Sequence, residues 1–207
     1  YQYISKDGEE GFPGELKTTC KYLIKDNKFS LLLNAKSTKP THLNLVNHAY
    51  WNLEKNKNNI FDHYLMINAD YYLENNKKNI PTGKKINVKD TFYDFRELKN
   101  IGETIKRKKS GFDENFVIRS NSNLVAKLLC PNNRIQLLVF SNQPGVQFYT
   151  GQYLKFRSKN KIIKKYQGLC LETQFFPNSP NIKEFPSTLL YPKKNYRHYM
   201  KFVINDI

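Results

Sequence analysis

Residues 16–35 read LKTTCKYLIKDNKFSLLLNA, two strand-length apolar runs (16–24 and 29–35) on either side of the turn signal Lys25-Asp26-Asn27. The same pattern recurs along the chain. Runs rich in β-branched or aromatic residues occupy 65–69, 124–129, 135–140 and 196–204. Asp7-Gly8, Pro13-Gly14, Pro81-Thr82-Gly83, Pro131-Asn132-Asn133 and Pro144-Gly145 punctuate them as turns. In 134–141, Ile135, Leu137 and Val139 share one face while Leu138 and Phe140 make the other apolar, so a strand covered on both sides is expected. Helical periodicity is confined to 98–108. Such spacing of strands and turns predicts an all-β, antiparallel β-sandwich. No repeat and no boundary interrupts it, so residues 1–207 are expected to form a single domain, with the Lys- and Asn-rich tracts 54–59 and 75–79 as enlarged surface loops.

Composition narrows the function. Lys and Arg number 34 against 18 Asp and Glu, a net charge of +16 that invites a nucleic-acid reading. The basic residues are spread out, however, and only Lys106-Arg107-Lys108-Lys109 and residues 161–165 stand out as runs. Heavy use of Lys and Asn together reads as codon bias on solvated loops, so no nucleic-acid partner is expected, while a phosphorylated small ligand stays open. Cys20, Cys130 and Cys170 are odd in number, far apart and free of any C-x-x-C pair. A disulfide framework and a zinc site are therefore not expected, and a reducing, cytoplasmic compartment fits. No apolar run approaches the ~18 residues of a membrane helix and no signal peptide opens the chain, so no membrane partner is expected. The chain opens Tyr1-Gln2-Tyr3 without a methionine, which reads as a processed or trimmed end.

Chemistry could reside in a few positions. The four histidines are His42, His48, His63 and His198. A histidine in an all-β protein is usually structural. His42 and His63 adjoin turn-like segments, and His198 reads as an exposed residue of a terminal strand. His48 differs, because in NLVNHAYWNL (44–53) the amide of Asn47 and the rings of Tyr50 and Trp51 surround it. Aromatic faces suit the C–H face of a sugar ring and amides suit its hydroxyls. Glu172 interrupts an apolar strand, GLCLETQ (168–174), where alternation puts Cys170, Glu172 and Gln174 on one face. Partial desolvation there would raise its pKa from about 4.3 toward the range of a base. Asp113, in GFDENF (111–116), is wedged between aromatics, although an acid closing a turn on its own backbone is the ordinary alternative. Gln147 follows a Pro-Gly turn among further aromatics and could simply satisfy backbone at a strand end.

Taken together these positions carry more. DGEEGFPGEL (7–16), NLVNHAYWNL (44–53), INADYYL (67–73), IPTG (80–83), GFDENF (111–116), QPGVQFYTG (143–151) and CLETQFFPNSPN (170–181) occur in order, and FPSTLLYP (185–192) follows. This series resembles the aldose 1-epimerase (galactose mutarotase) family across essentially the whole chain. The resemblance implies a large antiparallel β-sandwich, the galactose mutarotase-like supersandwich, with a sugar cleft on one sheet face. It implies interconversion of the α and β anomers of free aldohexoses such as glucose and galactose, with no metal and no cofactor. On that resemblance His48 matches the general acid that protonates the ring oxygen and Glu172 the general base at the anomeric hydroxyl. Asp113 and Gln147 match residues that hydrogen-bond the sugar, with Asn47 and Tyr50 beside them. The chemistry is consistent with the residue types, since opening a hemiacetal deprotonates one oxygen while protonating another.

Departures from the family pattern are Ala49 for a common serine, Trp51 for a common phenylalanine and Glu114 for a common histidine. The resemblance also implies a preceding N-terminal segment whose arginine and histidine line the sugar site, and nothing in these residues matches it. A companion segment or a homodimer is accordingly expected to cover open edges. The alternatives are a non-catalytic carbohydrate-binding module or pseudoenzyme, an epimerase for hexose 6-phosphates, and, weakest, a nucleic-acid binder.

Overall fold

A computed structural model describes residues 1–56, 58–158 and 161–207, so that Lys57 of the 54–59 tract lies outside the described residues. The 16–35 segment folds as read, with Leu16–Lys25 and Lys28–Ser37 paired antiparallel from Leu16↔Ser37 to Lys25↔Lys28 around the Asp26-Asn27 turn. It belongs to an eight-stranded sheet in the order Gln2–Ser5, Leu16–Lys25, Lys28–Ser37, Tyr196–Asp206, Ile135–Ser141, Leu124–Cys130, Tyr64–Ile67 and Lys99–Asn100. A six-stranded sheet follows the order Tyr50–Trp51, Leu169–Gln174, Gly145–Tyr149, Asp113–Ile118, Ala69–Asn75 and Pro81–Asn87. The expected helix is present as Ile101–Lys108, where the Asn100 side chain accepts from the Glu103 N–H as an N-cap.

The two sheets enclose one core. Leu31, Leu33, Leu137, Val139, Met200 and Phe202 from the larger sheet meet Phe116, Val146, Phe148, Leu169 and Leu171 from the smaller. Period-two alternation then decides what the smaller sheet turns away from the core. Asn115, Gln147 and Glu172 stand side by side in register on that outer face, as do Asp113, Tyr149 and Cys170. At the end of the face Phe176 and Phe185 form a small second cluster with Leu73. Gly145 is required beneath it, because a Cβ there would lie 2.5 Å from Asn115 Oδ1 and 2.9 Å from the Phe176 ring.

Three expectations are corrected. His198 is fully buried rather than exposed, because alternation puts it on the inward face of Tyr196–Asp206 with Tyr196, Met200 and Phe202. Its Nδ1–H donates to the Leu45 carbonyl (3.0 Å), which leaves Nε2 to accept from Thr173 Oγ1 (2.9 Å), and so it ties the two sheets together. Pro81-Thr82-Gly83 is the start of a strand, and the turn precedes it, with Asn76 N–H donating to Ile80 O. Proline is tolerated at the first residue of this strand, which closes one end of the sheet order. Finally, Ile135–Ser141 is buried only on the Leu137–Val139 face, while Leu138 and Phe140 are half-buried, with the Lys201 ammonium 4.4 Å from the Phe140 ring centre.

Candidate active site

The outer face of the six-stranded sheet carries a cleft of about 460 Å³ lined by His48, Asp113, Gln147, Tyr149, Glu172 and Gln174 together with Tyr50, Asn75 and Asn79. Glu172 arrives there by strand alternation, flanked by Leu171 and Thr173, which face the core. His48 arrives by a different route. The segment before it is held by Asn44, whose Oδ1 accepts from Phe175 N–H (3.0 Å) and whose Nδ2 donates to Phe175 O (3.1 Å). The segment after it joins the sheet, with Tyr50 opposite Cys170 and Trp51 opposite Leu169. The histidine between these two anchors therefore faces the Cys170–Glu172 side of the neighbouring strand.

His48 Nε2 lies 3.4 Å from Glu172 Oε1, and His48 Nδ1 lies 3.4 Å from Cys170 Sγ. The pair is asymmetric in exposure: the imidazole is 51% exposed and the carboxylate side chain 9%. Burial is the main cause that pushes the Glu172 pKa up to about 7; nearby Asp113 adds to the rise and His48 opposes it. Burial likewise pushes the Cys170 thiol far up, leaving it protonated. Tyr50 and Tyr149 flank the imidazole, with ring centres 5.1 and 6.5 Å from it. A half-exposed imidazole and a buried carboxylate titrating near neutrality, in contact, have the chemistry of a pair that can move protons between two oxygens of one ligand.

Asp113 starts the strand Asp113–Ile118 and does not close a turn. Its Oδ1 accepts from Gln147 Nε2 (2.8 Å), while its backbone N–H donates to Glu114 Oε2 (2.7 Å). Glu114 is in turn held by Lys108 Nζ at 3.4 Å and by the Tyr93 hydroxyl at 3.0 Å. Among the described residues, the buried Gln147 Oε1 and Asn75 Oδ1 accept no hydrogen bond.

Asn47 lies apart from the cleft lining. Its Oδ1 accepts from Ala49 N–H (3.3 Å), an Asx-type turn that shapes the backbone around His48. Asn75, Asn79 and Gln174 line the cleft but were not anticipated. Gln174 was signalled by its place two residues from Glu172, whereas Asn75 and Asn79 sat in a tract that reads as surface loop. Of the remaining histidines, His63 is buried and accepts from Leu53 N–H (2.9 Å), and His42 bonds Thr188 Oγ1 (2.9 Å).

Residues 1–203 match the family model for aldose 1-epimerase. The galactose mutarotase of Mus musculus is 38% identical over 213 residues, covering 97% of this chain and 61% of the mouse protein. An aldose epimerase homologue from C. elegans superposes with a TM-score of 0.92 at 27% identity, over 100% of this chain and 65% of that one. A galactose 1-epimerase from Lactobacillus acidophilus gives 0.86 at 28% identity, over 99% and 61%. The chain thus spans about three-fifths of the length of the curated relatives it matches.

Proposed function

The chain belongs to the aldose 1-epimerase family, and from that premise we propose that it interconverts the α and β anomers of free aldohexoses of the glucose and galactose type. The observation that carries the reading is the contact between His48 and the buried Glu172 at the floor of a polar, aromatic-walled cleft. In this reading Glu172 takes the proton of the anomeric hydroxyl while His48 gives one to the ring oxygen, and the C1–O5 bond opens. Rotation about C1–C2 presents the other carbonyl face. The pair then runs in reverse, His48 reclaiming its proton and Glu172 returning one. Asp113, Gln147 and Tyr50 hold the sugar, Asp113 and Gln147 by hydrogen bonds and Tyr50 by its ring.

A free sugar is favoured over a hexose 6-phosphate because the described residues lining the cleft include no lysine or arginine, so the charge of +16 is not focused there. A companion N-terminal segment or a second copy completing the site, and a reducing cytoplasmic setting suited to three free thiols, belong to the same proposal.

Polarimetry on freshly dissolved α-glucose and α-galactose tests it. Acceleration over buffer that is lost in Glu172→Gln and His48→Asn supports the reading. A folded protein, supplied with the complementary part of the family's length, that gives no acceleration overturns it.

A further inference from the structure

We propose that His48, Cys170 and Glu172 form a binding site for a soft divalent cation of the zinc class, opening on the cleft. One ligand atom from each of the three side chains lies within 4.8 Å of the other two. The Nδ1–Sγ and Nε2–Oε1 separations are both 3.4 Å. Tetrahedral zinc with bonds of roughly 2.0 Å to nitrogen and oxygen and 2.3 Å to sulfur sets its ligand atoms about 3.3–3.6 Å apart. One nitrogen must serve both neighbours, and the half-exposed His48 ring is the member free to turn and supply it. The other two ligands are fixed: Cys170 and Glu172 are alternate residues on one face of a buried strand.

The donor set selects the ion. A thiolate and an imidazole favour zinc-class cations over magnesium and calcium, which take oxygen ligands. Sequence spacing gives no zinc signature, because His48 and Cys170 are 122 residues apart and only the fold joins them. On binding, the Cys170 Sγ–H bond breaks, the proton passes to solvent and the sulfur lone pair bonds the metal, with no change of oxidation state. His48 and Glu172 line the cleft, while Cys170 lies fully buried beside them. An ion held there occupies the lone pairs that the proposed proton transfers use, so metal and sugar exclude one another; that consequence rests on the reading above, whereas the site itself rests on the geometry.

The test titrates tag-free, chelator-stripped protein with Co²⁺ and follows the sulfur-to-cobalt charge-transfer band, then displaces cobalt with Zn²⁺. One equivalent is expected to bind, with the band abolished in Cys170→Ser and cobalt affinity lowered at least ~10-fold in His48→Gln. The second variant alters a half-exposed residue and keeps the test decisive if the first fails to fold. Absence of the band, or undiminished cobalt affinity in His48→Gln, overturns the site. In parallel, Zn²⁺ is expected to suppress mutarotation in the unaltered protein and Cys170→Ser to lose that sensitivity at least ~10-fold. Cobalt binding without any mutarotation in the metal-free protein, supplied with the complementary part of the family's length, would leave the site standing and remove the enzyme reading. Mutarotation without a cobalt band would do the reverse.

Discussion

At the scale of single residues, burial brings the Glu172 carboxyl into the neutral range, which suits the base role proposed for it. With a pKa near 7, raised chiefly by burial, it is ionised above that value and protonated below it. The proposed reaction needs the ionised form to accept the anomeric proton. We therefore predict that kcat/KM falls as pH drops through about 7, approaching tenfold per unit on the acidic limb, measured by polarimetry on free galactose. Glu172→Gln should lower kcat by ~10²–10⁴-fold and remove that limb. An unchanged acidic limb in Glu172→Gln would mean that another group is the base. His48 was legible in the sequence as an imidazole among rings and amides. That Asn47 beside it bonds the Ala49 N–H was not, because whether an amide closes on the backbone two residues on depends on the turn's dihedral angles, which the residue types around it leave open.

At the scale of elements, most strands were readable because alternation and turn residues agree over whole segments. His198 shows how the same rule can be misapplied: it reads as an exposed residue of a terminal strand, yet alternation with Tyr196, Met200 and Phe202 points inward. What no local pattern could supply is the lateral register that sets Asn115, Gln147 and Glu172 in one row. Two predictions test how the elements hold that row. The end of the helix Ile101–Lys108 supplies Lys108, whose ammonium holds Glu114, whose carboxylate caps the Asp113 N–H. Lys108→Met leaves a largely buried carboxylate with only the Tyr93 hydroxyl and the Asp113 N–H, a loss of about 1.5–3 kcal/mol in stability. It should raise KM for the sugar several-fold while moving kcat less, read from initial-rate kinetics over a range of sugar concentrations. Gly145→Ala drives a Cβ toward Asn115 Oδ1 and the Phe176 ring, two residues before Gln147. The expected cost is about 1–3 kcal/mol in chemical denaturation, together with a raised KM.

At the scale of the whole molecule, two buried titrating groups pull the pH dependence of stability in opposite directions. His198 joins the sheets as a neutral imidazole, and burial lowers its pKa to about 4 from 6.5. The unfolded chain therefore binds more protons than the folded one between those values, and stability falls as pH drops through that window. His63, also lowered by burial, acts in the same sense. Glu172 is raised from 4.5 to about 7, so the folded state binds the extra proton in its window, and stability rises as pH drops from 7 toward 4.5. Between pH 7.5 and pH 5 linkage gives His198 and Glu172 each a contribution of about 2 kcal/mol, of opposite sign. The unaltered protein should accordingly show a shallower pH dependence across this range in urea denaturation than Glu172→Gln. Glu172→Gln removes one side of the balance and should leave a protein about 2 kcal/mol less stable at pH 5 than at pH 7.5. His198→Gln should reverse the slope, whatever its overall loss from the missing bonds to Leu45 and Thr173. If neither substitution changes the slope, the sheets are not coupled to proton binding through these two groups, and the neutral histidine between them is packing alone.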